Sequence, residues 1–267
     1  MMEKMLFSAN NIMFRYNHHR AIDDVTFTID EGEFVGVIGP NGAGKSTLLR
    51  LLAGFLTPSK GSVAFSGRNL NKYDRRELAR NIATLPQLTE TPFSFTVKDF
   101  VMMGRYPHAQ KGFFYEKKEE DFVDDVMDTM EISHLRERRI DTLSEGERQK
   151  VFLSQCIVQD PKALLLDEPV SHLDIRHQIQ TLDVLEKLHS EGLTVIMVLH
   201  DLNLASEFCS RVMLISKGRI MSDGDPRSVL TFQNIEAAYD AVVIVKENPL
   251  SGKPFIVPVS KKYLEKR

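Results

Sequence analysis

The sequence is poor in the features that mark several protein classes. It has only two cysteines, Cys156 and Cys209, in 267 residues. They are too few and too far apart for a disulfide scaffold or a zinc site, and they read as buried thiols in a reducing compartment. No apolar run approaches the roughly 18 residues of a membrane-spanning helix; the longest, such as Val195–Leu199, are strand-sized. Charge of one sign is missing too. The 34 Lys+Arg and 37 Asp+Glu leave a net charge of −3 with no long basic block, which argues against a nucleic-acid partner, because such binding rests on neutralised phosphates. The opening, Met1-Met2-Glu3-Lys4-Met5-Leu6-Phe7, lacks the apolar stretch of a secretion signal. The expectation is a soluble cytoplasmic protein.

What is present is an ordinary globular balance, 42% apolar and 27% charged, with enough side chains for a substantial core. Phe7–Tyr16 and Val25–Ile29 alternate as strands, with a turn at Asp30–Glu33. Phe34–Ile38 is a continuous apolar run, as in a strand covered on both faces. Ile82–Leu85, Ala163–Leu166 and Val195–Leu199 are further buried strands. Helical stretches fall at Lys45–Ala53, Glu116–Met130, Glu145–Gln159 and Arg176–Ser190. Strands alternating with helices predict an α/β fold with a mainly parallel sheet and an antiparallel β part at the N-terminus. Thr96–Met103 and Glu116–Met130 read as an inserted helical subdomain. In the tail, Val242–Glu247 and Lys253–Val259 flank Asn248-Pro249-Leu250-Ser251-Gly252 and predict a small β-hairpin, expected to cap an exposed sheet edge.

Gly39-Pro40-Asn41-Gly42-Ala43-Gly44-Lys45-Ser46-Thr47 follows an apolar strand and opens a helix. Its glycines let backbone N–H groups turn inward around the β- and γ-phosphates, and the helix start adds its positive end. Lys45 brings a cation to those phosphates, and the Ser46 hydroxyl is a ligand for Mg²⁺. This is a nucleoside triphosphate site. Leu164-Leu165-Leu166-Asp167-Glu168-Pro169 then sets two acids at a strand end. Asp167 suits Mg²⁺, and Glu168 suits orienting and deprotonating an attacking water. His200 stands at the end of another strand, where ligands of open α/β sheets bind, and is expected to touch the γ-phosphate. In Leu143-Ser144-Glu145-Gly146-Glu147-Arg148-Gln149, Ser144 and Glu147 form a capping box at a helix start, itself an anion site.

Together these segments resemble the ATP-binding subunits of ATP-binding cassette (ABC) transporters. The phosphate loop, Gln87, the Ser144–Gln149 signature segment, Leu164–Glu168, Ser171-His172-Leu173-Asp174 and His200 follow the family's order and spacing. The likeness covers roughly residues 5–230. It implies a P-loop nucleotide hydrolase domain over 5–231, with the helical insert at about 88–160 and a C-terminal extension at 232–267. It also implies two copies facing head to tail, each ATP lying between the phosphate loop of one and the signature helix of the other. On that basis Tyr16 stacks on adenine, and Ser144 and Gly146 contact a γ-phosphate across the interface. Asp174 links the two sites, and Gln87 senses Mg²⁺ and reports to a membrane partner. The third signature position departs from the family's glycine: Glu145 stands there, and is expected to point to solvent at a helix start that favours acids. His172 is a smaller departure.

Seven of the 22 Phe and Tyr residues, Phe93, Phe95, Phe100, Tyr106, Phe113, Phe114 and Tyr115, fall in one 23-residue window. About two would fall there by even scattering, so the excess suggests a groove that receives a helix of another protein, with core packing as the alternative. Gly104-Arg105-Tyr106-Pro107-His108 and Asn248–Pro254 resemble the subgroup serving importers of iron–siderophore, haem and cobalamin. The resemblance implies an ATPase driving uptake of a metal chelate through an integral membrane permease. An extracytoplasmic binding protein would deliver the cargo, and the chain would lie on the inner face of the membrane. Two alternatives stay open: a soluble ABC ATPase without a permease, as in Fe–S cluster assembly, and an importer of another cargo such as zinc, manganese or a peptide. Only 56 residues separate Gln87 from Ser144, too few for the long coiled-coil arms of repair ATPases, and one cassette is fewer than translation factors usually carry.

Overall fold

A computed structural model of the chain describes residues 4–17, 19–87, 95–109, 116–171, 173–260 and 262. The first elements are β1 (Met5–Tyr16), β2 (His19–Asp30), β3 (Phe34–Ile38), α1 (Lys45–Leu52), β4 (Lys60–Phe65) and β5 (Arg68–Asn69). There follow α2 (Arg75–Ala79), β6 (Ile82–Leu85), α3 (Val97–Met102), α4 (Lys117–Thr129), α5 (Glu145–Val158), β7 (Ala163–Asp167) and α6 (Ile175–Ser190). The last are β8 (Thr194–Val198), α7 (Leu202–Phe208), β9 (Arg211–Ser216), β10 (Arg219–Gly224), α8 (Pro226–Val229), α9 (Phe232–Tyr239), β11 (Val243–Glu247) and β12 (Pro254–Pro258). Two compact units result: Met1–Asn71 with Ile196–Arg267, and Lys72–Val195. The insert expected at 88–160 lies inside the second, and the 232–267 tail inside the first.

In the first unit all five residues of β3 are buried. It pairs in parallel with β9, from Val35↔Arg211 to Ile38↔Leu214, and its burial at every position is that of a parallel strand covered on both faces. The strand order there is β10-β9-β3-β8, with β10 antiparallel to β9. The Cys209 thiol is buried, and a Cβ at Gly36 would come within 2.7 Å of its sulfur, so the glycine makes room for it. A second, antiparallel sheet runs β2-β1-β4-β5. In β2, buried Val25, Phe27 and Ile29 alternate with exposed Asp24, Thr26 and Thr28, the period of a sheet with one wet face. Asp23, buried in the same strand, pairs with Arg219 and Arg20, each at 2.7 Å.

The tail hairpin does not cap a sheet edge. β11 and β12 form a separate two-stranded sheet, from Val243↔Pro258 to Glu247↔Pro254. It is pinned instead to α7 by hydrogen bonds with that helix's side chains. Ser206 Oγ donates to the Pro254 carbonyl (2.7 Å), and the Ile256 N–H donates to Asn203 Oδ1 (2.7 Å). Helix α9, capped by Thr231, precedes the hairpin and was not legible as a helix.

In the second unit β6 and β7 pair in parallel, from Ile82↔Ala163 to Leu85↔Leu166, and β7 is buried throughout. Phe100 of α3 meets Phe152 of α5 edge to face, with centroids 4.7 Å apart. Phe100 therefore belongs to the core, whereas Tyr106 is 57% exposed. Phe93, Phe113, Phe114 and Tyr115 lie outside the described residues, as does His172. The Gly104–His108 run clasps the C-terminal end of α5. A Cβ at Gly104 would come within 2.3 Å of the Gln155 carbonyl oxygen. Arg105, buried, donates to the Val158 carbonyl (2.8 Å), forms a salt bridge with Glu119 and stacks on Phe122. The His108 ring bonds the Gln159 carbonyl (2.8 Å), and Arg76 and Arg80 both donate to the Pro107 carbonyl. The Arg105 and His108 bonds satisfy open carbonyls at the end of α5.

Candidate nucleotide site

In the first unit the phosphate loop is built from close approaches that only glycine permits. A Cβ at Gly39 would fall 2.0 Å from the Ile215 carbonyl oxygen, and one at Gly44 would fall 2.3 Å from that of Ala21. Both have positive φ, 147° and 108°. The Gly218 N–H donates to the Ala43 carbonyl (3.0 Å), pinning the loop to the β9–β10 turn. Gly44 is the N-cap of α1 and brings no capping side chain, and the first turn of α1 holds no acid. The amides at this helix start are therefore suited to an outside anion.

Lys45 is buried, and its ammonium donates to the loop's own carbonyls, Gly39 O at 2.8 Å and Pro40 O at 3.1 Å. A desolvated cation held against two loop carbonyls sits where phosphate oxygens are better partners. Asn41 and Gly42 are exposed at the loop tip, Pro40 and Ser46 are half-buried, and Ala43 and Thr47 are buried. Tyr16 is 40% exposed, with its ring edge-on to Phe14 at 4.9 Å. His200 is exposed just beyond β8.

In the second unit Asp167 ends the buried strand β7 and Glu168 follows it, 8% and 9% exposed. Glu168 has φ 56°, a left-handed conformation that costs a non-glycine residue roughly 1 kcal/mol. The turn after it holds that conformation: the Glu168 carbonyl accepts from the Ser171 N–H (3.2 Å) and hydroxyl (2.9 Å). Two helices grip the same turn, Gln149 of α5 through the Pro169 carbonyl (2.8 Å) and Gln178 of α6 through that of Val170 (3.2 Å). The Gln87 amide donates to Glu168 Oε2 at 2.8 Å, which joins two residues singled out from sequence alone.

At the start of α5, Ser144 and Glu147 complete the capping box. The Ser144 N–H and hydroxyl donate to Glu147 Oε2 (2.8 and 2.9 Å), and the Glu147 N–H donates to Ser144 Oγ (3.3 Å). The bond from the Ser144 backbone leads the effects that hold the Glu147 carboxyl below its usual value. Glu145 is exposed, as the helix-start argument requires. Gly146 differs from the loop glycines. It lies in α5 without positive φ, and a Cβ there would meet nothing closer than the His177 ring at 3.4 Å, an ordinary contact. Nothing among the described residues requires glycine at this position.

The donors fit a magnesium nucleotide. In the first unit, glycine-framed amides and a buried ammonium suit phosphates, and the Ser46 hydroxyl is a hard oxygen donor. In the second unit, the Gln87 amide oxygen and the Asp167 carboxylate are hard oxygen donors of their own. Among the described residues no three His, Cys, Asp or Glu side chains gather as a metal cage.

Comparison with known proteins decides the family. The ABC transporter family model matches residues 22–171. This chain belongs to the ABC transporter family. The cassette is 38% identical over 247 residues to the ferric enterobactin transport ATP-binding protein of Escherichia coli, covering 92% of this chain and 91% of that protein. It is 42% identical over 241 residues to a cobalamin import ATP-binding protein of Halobacterium salinarum, covering 90% of this chain but only 60% of that longer protein. It also matches a structure described as an inward-facing metal-chelate type ABC transporter, with TM-score 0.85 and 28% identity over 97% of this chain and 99% of that one. No helix among its described residues is long and apolar enough to cross a membrane.

Sequence reasoning missed Gln178 and His177 of the cassette and read Gln149 only as the end of the signature segment. Each acts on a backbone group or a glycine that only folding brings near, so no local motif announces these contacts.

Proposed function

We propose that two copies of the cassette close on two ATP molecules and hydrolyse them to power import of a metal chelate through a membrane permease. The observation that carries this reading is Gly146. A helical glycine with room for a Cβ gives up about 0.5 kcal/mol of stability relative to alanine. Something outside the protomer therefore needs the bare backbone, and a phosphate borne by a second copy meets that need.

In this reading Tyr16 stacks on adenine, and Gly39, Pro40, Asn41, Gly42, Ala43, Gly44 and Thr47 wrap the phosphates. Lys45 exchanges its bonds to the Gly39 and Pro40 carbonyls for phosphate oxygens. Ser46, Asp167 and Gln87 hold Mg²⁺, which when bound neutralises charge building on the phosphates. Glu168, with Gln87 on its Oε2, orients a water and takes its proton as the water oxygen bonds the γ-phosphorus and the bond to ADP breaks. His200 touches the γ-phosphate. From the other copy, Ser144 turns its hydroxyl from Glu147 to that phosphate, Gly146 admits it, and Asp174 links the two sites. ATP joins the copies, and the charged products push them apart.

The relatives named for ferric enterobactin and cobalamin support a cargo of the iron–siderophore, haem or cobalamin kind. An extracytoplasmic protein would deliver it, and the cassette would sit on the cytoplasmic side of the membrane with a permease helix against the surface that includes Tyr106.

Glu168→Gln removes the base and keeps the shape. With ATP and Mg²⁺ its turnover is expected to fall about 10³-fold, and the protein to elute as a stable dimer in size-exclusion chromatography with light scattering. A variant that stays monomeric while binding ATP would refute the two-copy mechanism.

A further inference from the structure

Resting on the two-copy reading, the geometry points to His177 as a positioning residue that locks the signature segment to the linking segment, so that both move together when ATP is bound. Asp174 caps α6, and its Oδ1 accepts twice from the same residue: from the His177 N–H at 2.9 Å and from the His177 Nδ1 at 2.9 Å. A carboxylate donates nothing, so Nδ1 carries the proton and the ring is held in one orientation. The face so fixed lies beside Gly146. A Cβ at that glycine would stand 3.4 Å from His177 Cγ, 3.5 Å from Cδ2 and 3.6 Å from Nδ1.

The ring atoms next to Gly146 therefore include the nitrogen bonded to Asp174. The bond from the His177 backbone, followed by that from its ring, leads the effects that hold the Asp174 carboxyl below its usual value, so it stays anionic at neutral pH. Asp174 itself is 67% exposed, while the His177 side chain is 36% exposed. One residue thus bonds Asp174 and lines the side of Gly146 where a Cβ would stand, the two groups that the reading sends across the dimer interface. A shift of the signature turn against the ring would be passed on to Asp174 through the Nδ1 bond. Through His177, ATP closing one site would adjust the link to the other.

The test uses the full chain with ATP and Mg²⁺, reading kcat, KM, the Hill coefficient for ATP, thermal midpoint and the ATP affinity of the protomer. His177→Ala is expected to lower kcat about tenfold and to bring the Hill coefficient to about 1, with protomer affinity changed less than about twofold. His177→Asn keeps a donor toward Asp174 and is expected to recover cooperativity. His177→Phe keeps a ring without the donor and is expected not to recover it. Should His177→Ala lose its fold, the Asn and Phe variants carry the comparison, and equal behaviour of the two overturns the inference. On a wild type that cooperates, wild-type kcat and Hill coefficient in His177→Ala overturn the role of His177 alone. A wild type that turns over ATP without cooperativity, or whose Glu168→Gln variant never dimerises, overturns the two-copy reading and this inference with it.

Discussion

The starts of α1 and α5 are both proposed to meet phosphate, yet they are built on opposite terms. Before α1, Gly39 and Gly44 are demanded by carbonyls of their own unit, Lys45 is buried among the loop's carbonyls, and no side chain caps the helix. At α5 the helix caps itself through Ser144 and Glu147, carries two acids in its first turn, and holds a glycine that nothing among the described residues requires. One turn is finished by internal contacts and brings no capping side chain to a helix start suited to an anion. The other is satisfied within itself and, on the two-copy proposal, faces a second molecule. A binding site and the surface that completes it can thus be told apart by asking what each glycine would hit.

Alanine substitutions at the two glycines put the comparison at most risk. Gly39→Ala forces a carbonyl clash and a disfavoured φ, and is expected to cost about 2–4 kcal/mol in chemical denaturation and to remove nucleotide binding with it. Gly146→Ala is expected to leave stability equal or raise it by about 0.5 kcal/mol while cutting ATP turnover at least tenfold, roughly 1.4 kcal/mol in the barrier. Stability and activity moving in opposite directions is the signature of a glycine kept for an outside partner. If Gly146→Ala instead unfolds the protein, the contrast between the two turns collapses.

Smaller effects sharpen it. Ser144→Ala removes the cap of α5 and is expected to cost about 1 kcal/mol, along with a loss of turnover larger than the stability change explains. Turnover that merely follows the fraction folded would leave Ser144 a cap and nothing more. Smallest is the acid response of β2. The Arg219 and Arg20 guanidiniums hold the Asp23 carboxyl below its ordinary 3.8. A depressed value stabilises the folded state above pH 3.8, and that gain is lost as the pH falls through the folded value. Wild type should exceed Asp23→Asn in stability at pH 7, with the gap closing only in strong acid. A gap that is constant with pH would assign the effect to packing.

Where the chain writes its own rules locally, the fold was legible. The five-residue apolar run of β3, the strand β6 and the helices α4, α5 and α6 emerged within about two residues, because periodicity and capping residues mark them. Short pieces did not: α2 and β5 hold too few residues to show a period, and α9 hides behind the hairpin signal of the tail. The phosphate loop and the acids of β7 were legible because their chemistry is contiguous. The grip of Gln149 and Gln178 on the turn after Glu168 was not, since backbone carbonyls leave no trace in sequence. The aromatic window divides the same way. Phe100 proved to be core, where hydrophobic count alone could not separate packing from docking, while Tyr106 remains outward.

The Gly104–His108 clasp has a mechanical consequence. At 14 residues, α5 is a rod roughly 21 Å long. Its far end is bolted by a buried arginine and its near end opens at the signature turn. A bolted rod does not bend under load; it transmits. On the proposal that a membrane helix bears on the Tyr106 surface, the clasp would hand its push to the far end of α5, and the helix would carry it toward Gly146.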